Sequence, residues 1–511
     1  MIQSTDEASG ARPAPGRPDL ASAPGWLAPY ADAMQDLFDT WDSVRARNRT
    51  LTTYYRMKNG IRDLGISIPP NLVGLNCVVG WADKAVRVMS VRSQFDGYVS
   101  GGERVRGLDE LARANALPVL YDNACRSALV HGVSAMTVMR GRAELGQPAA
   151  KVRSLSANQC CMLWDKDRGG VGSGVVLSGV DRYGHPRAFV FHFPDAVVTA
   201  ARPAPDAPWE WSAEANPLGV PLIVPFAYDP DDDRPLGHSR ITPEVMGIID
   251  KAMRDVLRME VGAEFFTAPQ RYILGASDEL FRADGEDEAA PAPAGDARAA
   301  ALSEDDGAAA PRPVDRGKMM RAYLGQILAI TRDANGDVPQ VGQFPAGSAD
   351  NFIKVFENDA QRFSGATNVP LGQLGVLSNT YTSSDALGAA NDPLILEVEA
   401  MNRRAKASLE LVGRLMLAVA GGTTLAEVDA GGQVIAHMVD PSMPTFAARA
   451  DGWTKIATLD KDLVGTRVWY EGMGLPQETI DRIEAQKGTR SSIELINAMS
   501  AELGGASDGR S

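Results

Sequence analysis

Cysteine is scarce in this chain of 511 residues: four occur, Cys77, Cys125 and the neighbours Cys160 and Cys161, and no two stand at Cys-x-x-Cys spacing. That excludes a zinc or redox centre built on paired thiolates and predicts a protein made in a reducing cytoplasm without disulfides. Histidine is nearly as rare. His131, His185, His192, His238 and His437 are scattered, with no His-x-x-x-His or His-Glu-x-x-His arrangement, so no metal centre is expected. Long apolar runs are missing, as is a basic region followed by an apolar one near Met1, so neither a membrane span nor a secretory signal is expected.

A broad basic surface is missing too. Fifty-one Lys and Arg stand against 65 Asp and Glu, a net charge of -14, which argues against a protein that grips nucleic acid. Catalytic signatures are also lacking. Gly169-Gly170-Val171-Gly172-Ser173-Gly174 is glycine-rich, but no Gly-Lys-Ser follows and a strand comes next, so a hairpin is predicted in place of a phosphate cradle. No Gly-x-Ser-x-Gly lies in a strand-to-helix setting. The carboxylates of Asp231-Asp232-Asp233 and Asp305-Asp306 have no histidine or lysine beside them and read as solvated turns. No active site and no cofactor are expected.

What the chain does have is 44% hydrophobic content, enough for substantial cores. After an Ala-, Pro-, Gly- and Ser-rich tail over 1–24, read as disordered, helical spacing runs through 26–57, 72–88 and 117–131. The period then changes, and strands are predicted at 135–140, 152–155, 174–177, 188–193 and 222–225. Helices followed by a run of strands describe an α+β unit. Thr242, Pro243 and Glu244 then open a long amphipathic helix to Phe266, with a cap, a proline at the first helical position and an acid at the positive end of the dipole. Its apolar set includes Val245, Ile248, Ile249, Met253, Val256, Leu257, Val261 and Phe265; Asp250, Lys251, Arg254, Asp255, Arg258 and Glu264 read as the polar side.

Beyond it, strands are predicted at 271–274 and 320–330, separated by a low-complexity stretch, 276–316, with eleven acidic residues and four arginines, read as a solvated loop. A second helix is expected over 348–364, with Ser348 as cap and Phe352, Ile353, Val355, Phe356 and Phe363 as apolar set. Pro370 and Gly372 stop it, and a polar loop of small residues follows over 375–384. Asp392 as cap and Pro393 open a further helix to about residue 419, ended by Gly421-Gly422. Short strands near 434–438, then 446–459 and helices at 476–486 and 491–503, complete the chain. No internal repeat is present, so any symmetry must come from assembly.

The order of these segments resembles that of the portal proteins of tailed bacteriophages, in the SPP1-type (Gp6-like) family found among actinobacteriophages. The resemblance is carried by Pro235-Leu236-Gly237-His238-Ser239-Arg240-Ile241-Thr242, the long helix, and Pro269-Gln270-Arg271-Tyr272. Tyr54-Tyr55, Ile68-Pro69-Pro70 and Asn76 to Val86 match upstream, and Thr367 to Gly375 and Ser383 to Ala390 match downstream. It spans roughly residues 25–490.

The resemblance implies a portal fold with long stem helices and a β-rich wing and clip: wing over 25–240, first stem helix 241–266, clip 267–346, second stem helix 347–366, tunnel-loop region 367–392, long wing or tunnel helix 393–422, crown and tail 423–511. It implies stem packing by Ile248, Ile249, Met253, Val256, Leu257, Phe352, Val355 and Phe356, and a tunnel loop of Leu377, Ser378, Asn379, Thr380, Tyr381, Thr382 and Ser383. The family motif falls on Gly237, Ser239, Arg240, Pro269, Gln270, Arg271 and Tyr272. The implied protein is a homododecameric ring at a capsid vertex, made in the bacterial host cytoplasm. Double-stranded DNA passes through it in packaging and ejection. Its partners would be the terminase large subunit, a head-completion adaptor, and the major capsid and scaffolding proteins. An acidic conduit suits that role, because each phosphate neutralised by a fixed cation adds affinity and so friction. A soluble α+β enzyme and a ring-forming adaptor without DNA passage are the other readings open to these residues.

Overall fold

The computed structural model describes residues 16–60, 77–99, 107–267, 271–274, 340–343, 350–376, 388–442, 446–475 and 479–487. The chain forms two compact units: Met1–Lys58, Gly80–Pro243 and Thr367–Ser511 make the first, Asn59–Val79 and Glu244–Ala366 the second.

In the first unit a 3-10 segment, Gly25–Tyr30, leads into α1 (Ala31–Tyr55). The α-helix starts later than the apolar spacing suggests because Pro29 has no N–H to donate and its ring crowds the preceding turn. There follow α2 (Trp81–Arg92), β1 (Phe95–Val99), α3 (Leu108–Ala114) and α4 (Leu117–His131), the last with the bounds its sequence predicts. A run of strands comes next: β2 (Val133–Arg140), β3 (Ala150–Ser156), β4 (Cys160–Asp165), β5 (Gly170–Val180), β6 (Pro186–His192), β7 (Ala196–Ala201), β8 (Glu210–Ala215) and β9 (Ile223–Ala227). They build two antiparallel sheets, β3-β2-β9 and β4-β5-β6-β7-β8. The glycine-rich segment is the β4–β5 hairpin, with Gly169 at φ +61 in its turn.

Helix α1 covers the five-stranded sheet. Phe38 meets Phe189 and Phe191 edge-on at 5.5 Å each, and Trp41 meets Phe189 at 6.2 Å. Such pairs contribute roughly 0.5–1.5 kcal/mol beyond their buried area. Cys160 and Cys161 point to opposite faces of β4, Cys161 into this core and Cys160 into the one shared with Ala135, Leu155 and Ile223. All four cysteines are free and buried.

The second unit holds α5 (Pro243–Thr267), which begins at the predicted proline with Glu244 in its first turn. Val245, Ile248, Ile249, Ala252, Met253, Leu257 and Val261 are buried. Val256 is half-buried and packs with Leu257, Val261 and Cys77. Strands β10 (Arg271–Leu274) and β11 (Gln340–Gln343) pair antiparallel, Arg271 opposite Gln343 and Leu274 opposite Gln340. The expected strand at 320–330, the acidic segment 276–316 and the cap Ser348 lie outside the described residues. Helix α6 (Asp350–Thr367) follows, slightly C-terminal of its predicted span.

Back in the first unit, α7 (Asp392–Gly421) crosses contacts with β2, β3, β9 and α4's neighbour α2. Its cap is Asn391 and not Asp392, and the Asn391 side chain makes no cap bond because its Oδ1 accepts from Arg92 at 3.3 Å. Gly422, at φ +64, closes the other end. A capping box, Thr424 with Glu427, starts α8 (Leu425–Ala430). Strand β12 (Ile435–Met438) pairs antiparallel with β1. Then come α9 (Phe446–Leu459), α10 (Arg467–Gly472) and a helix over 479–487; the expected helix at 491–503 lies outside the described residues. The fold is mixed helix and sheet, α+β, as the order of periods predicts.

Candidate functional site

The segment between β9 and α5 holds Gly237, Ser239 and Arg240, on which the sequence resemblance rests in part, and each has a structural task. Gly237 sits at φ +85, and a Cβ would meet the Tyr228 carbonyl oxygen at 2.3 Å and that of Gly132 at 2.6 Å, so only glycine fits. His238 donates its backbone N–H to Tyr228 O at 2.8 Å. Ser239 Oγ donates to Val130 O at 2.6 Å and accepts from the Ile241 N–H at 3.0 Å. The Arg240 N–H reaches Leu129 O at 2.9 Å. Together these bonds lay the segment across the C-terminal end of α4.

The Arg240 side chain is 3% exposed, yet its guanidinium is fully engaged. Nε donates to Ala85 O of α2 at 3.0 Å and Nη1 to Tyr228 Oη at 2.9 Å. Nη1 also pairs with Glu397 Oε1 of α7, and Nη2 donates to Thr367 O at the end of α6. Glu397 accepts in addition from Tyr228 Oη and, at 3.4 Å, from Asn368 Nδ2. Burial pushes the Tyr228 phenol up, so it stays a protonated donor. Arginine suits this place because its planar fork serves several acceptors at once and stays charged. One side chain thus ties α2, α7 and both ends of the 241–367 excursion.

A second polar cluster lies inside the second unit. Asp359 of α6 is fully buried and Asp255 of α5 is 3% exposed, so the polar side of α5 is not solvated at Asp255. Lys251 Nζ lies 2.5 Å from Asp359 Oδ1, and Arg258 Nη1 lies 2.9 Å from Asp255 Oδ1. The other oxygens, Asp255 Oδ2 and Asp359 Oδ2, are buried without a donor. One proton held between the two carboxyls would satisfy both. Burial, and then the hydrogen bond to Asp359, pushes the Asp255 carboxyl up accordingly. Two like charges at this spacing would repel, and the neighbouring cations offset only part of that.

Of the residues singled out from sequence, Ile248, Ile249, Met253 and Leu257 are buried, Val256, Phe352 and Phe356 half-buried, and Val355 exposed. Arg271 and Tyr272 fall in β10. Pro269, Gln270 and the loop Leu377–Ser383 lie outside the described residues. Tyr228 and Glu397 were missed; the only signal was an acid at 397 beside the buried stripe of Leu394, Val398 and Met401. Among the described residues no cluster of three or more His, Cys, Asp or Glu could hold a metal ion, and no helix is long and apolar enough to cross a membrane.

The family model for phage portal proteins of the SPP1 Gp6-like type matches residues 35–487, nearly the whole chain. The chain belongs to that family. It is similar to the portal protein of Mycobacterium phage D29, at 25% identity over 87% of this chain and 84% of that one. It is also similar to the portal protein of Mycobacterium phage L5, at 26% over 84% and 80%. Among solved structures it is similar to a chain of the virion of a native gene transfer agent particle, at 12% identity, covering 84% of this chain and 93% of that one with a TM-score of 0.43. A chain from the neck of that particle, computed with C12 symmetry, is 12% identical with a TM-score of 0.42 and the same coverage. Membership makes this chain a portal protein of a phage particle, and Gly237, Ser239 and Arg240 hold the segment between β9 and α5 in place within it.

Proposed function

We propose that copies of this chain close into a homododecameric ring at one capsid vertex, the passage for double-stranded DNA during packaging and ejection, and that the chain converts no substrate. The family match across residues 35–487 carries this reading. Heterologous contacts between copies close such a ring. In it α5 and α6, joined through Lys251, Asp255 and Asp359, are the two stem helices, and the segment Leu377–Ser383 projects into the channel. Its hydroxyls and amide, Asn379, Thr380, Tyr381, Thr382 and Ser383, suit weak bonds to phosphate oxygens that position a duplex without reading its bases. Residues 267–346 form the clip, where the terminase large subunit and then the head-completion adaptor dock; ATP hydrolysis belongs to the motor. The remaining wing and crown face the major capsid and scaffolding proteins.

Light scattering after size-exclusion chromatography, with negative-stain imaging, tests the ring: a monomer or dimer under all conditions sinks it. Deleting residues 377–383 should leave assembly intact and lower packaged or retained genome. Normal genome content in such particles would remove the tunnel-loop role.

A further inference from the structure

A groove of about 580 Å³ runs along α1 in the first unit, between that helix and the β5–β6 side of the five-stranded sheet. Its charge is opposite to that of the chain. Arg17, Arg45, Arg49, Arg56 and Lys58 line it, and Asp42 is the one carboxylate among its lining residues. Arg17 already neutralises Asp42 at 2.6 Å. Arg45, Arg49, Arg56 and Lys58 are exposed and have no acidic partner among the described residues. In a protein with fourteen more acidic than basic side chains, four unpaired cations collected in one concavity are a strong local exception. Arg45 and Arg49 stand one turn apart, about 6 Å along the helix, and Arg56 adds its charge at the C-terminal end, where cations are favoured.

Trp41, Leu177 and Phe189 supply an apolar floor to the same groove. Asn48, Thr52 and Asn158 lie between floor and rim, and Asn48 Oδ1 is buried without a donor. We propose that this groove binds an acidic peptide segment of a partner protein, its carboxylates held by Arg45, Arg49, Arg56 and Lys58 and an apolar residue set on the floor. Guanidinium forks match carboxylates in two-point fashion, and the volume falls within the ~300–1,000 Å³ of ordinary ligand sites. A DNA duplex fits less well. Its phosphates lie on a convex cylinder that would touch the rim and leave the floor uncovered.

The test uses the full chain and fluorescence anisotropy with a fluorescein-labelled peptide of alternating glutamate and leucine. Its glutamine-for-glutamate counterpart and a short DNA duplex serve as comparisons. The wild-type chain should bind the glutamate peptide at least about tenfold more tightly than the glutamine peptide, the change expected from a few charge-assisted contacts. Arg45→Glu with Arg49→Glu should remove that preference. Arg45→Lys with Arg49→Lys should keep most of it, and Lys461→Glu, outside the groove, should leave it intact. Equal binding of the two peptides, or an unchanged preference in the double glutamate variant, overturns the proposal. So does a duplex that displaces the glutamate peptide and loses binding in the same variant. Circular dichroism and ring formation are read on every variant, so loss of peptide binding with rings intact separates this site from the portal reading itself.

Discussion

Arg240, buried, and Glu397, half-buried, stand 157 residues apart in sequence and form an ion pair that also takes in Tyr228 and the Thr367 carbonyl. Removing Glu397 leaves the buried Arg240 charge without its counter-ion, at a cost of about 3–5 kcal/mol, whereas removing Arg240 leaves a carboxylate that water still reaches but frees the buried Tyr228 hydroxyl and Thr367 carbonyl of a donor. Glu397→Ala should lower stability by that order, and Arg240→Ala by a few kcal/mol through the acceptors it strands, roughly 1–3 each, measured by chemical unfolding. Arg240→Lys should recover only part of the loss, since an ammonium cannot reach Ala85 O, Thr367 O and Glu397 together. A lysine variant as stable as wild type would show that charge alone matters there.

Gly237→Ala should strand the chain in insoluble material or lower its melting temperature sharply, because the added methyl would overlap the Tyr228 and Gly132 carbonyls in a left-handed backbone. Gly247, inside α5, has nothing within 4 Å of the same position. Gly247→Ala should therefore stabilise by roughly 0.4–1 kcal/mol. Equal effects of the two substitutions would contradict the packing described.

The Asp255 carboxyl is raised in the fold, so the stability it contributes is present below its unfolded value and is lost as pH rises through its folded value. Asp255→Asn keeps a donor toward Asp359 without the second charge. It should unfold later than wild type at neutral pH and about equally in acid. An asparagine variant less stable than wild type at neutral pH would exclude the shared proton.

His131 and His192 are buried, and burial lowers each from 6.5 to about 4. Both are neutral in the native state, so their contribution is complete above the unfolded value of 6.5 and disappears as pH falls from there toward 4. His192 has no partner for its Nδ1, whereas His131 Nε2 lies 2.9 Å from Thr52 Oγ1. His192→Gln and His131→Gln should each flatten part of the stability loss over that window in pH-dependent thermal melts; unchanged slopes would place the titration elsewhere.

The helices were legible in the sequence wherever one face is apolar and the ends are punctuated. Leu117–His131 has proline in its first turn and Gly132 after its last, and its bounds came out as read. Pro243 marked its helix equally well. Strands β4 and β7 were missed because their residues are buried on both faces, which erases alternation: Cys160, Cys161 and Met162 are all inside, as are Ala196, Val197 and Val198. Strand β8 failed for the opposite reason, being polar and exposed along most of its length. In β1 a bulge between Phe95 and Gly97 shifts the period. At the site, Gly237 and Arg240 were found by their order in the chain, but not what they do. Their partners Tyr228, Thr367 and Glu397 are distant in sequence, and nothing local announces the meeting. Asp255 was misread because helical spacing sorts residues by type, and an acid can be buried when another acid shares its proton.

Arg240 stands three residues before α5 begins, and its Nη2 holds Thr367, the last residue of α6. The points where the chain leaves the first unit and rejoins it are therefore fastened to the same guanidinium. Both groups belong to the first unit, so the exit and the return of the chain are set by that unit's own contacts.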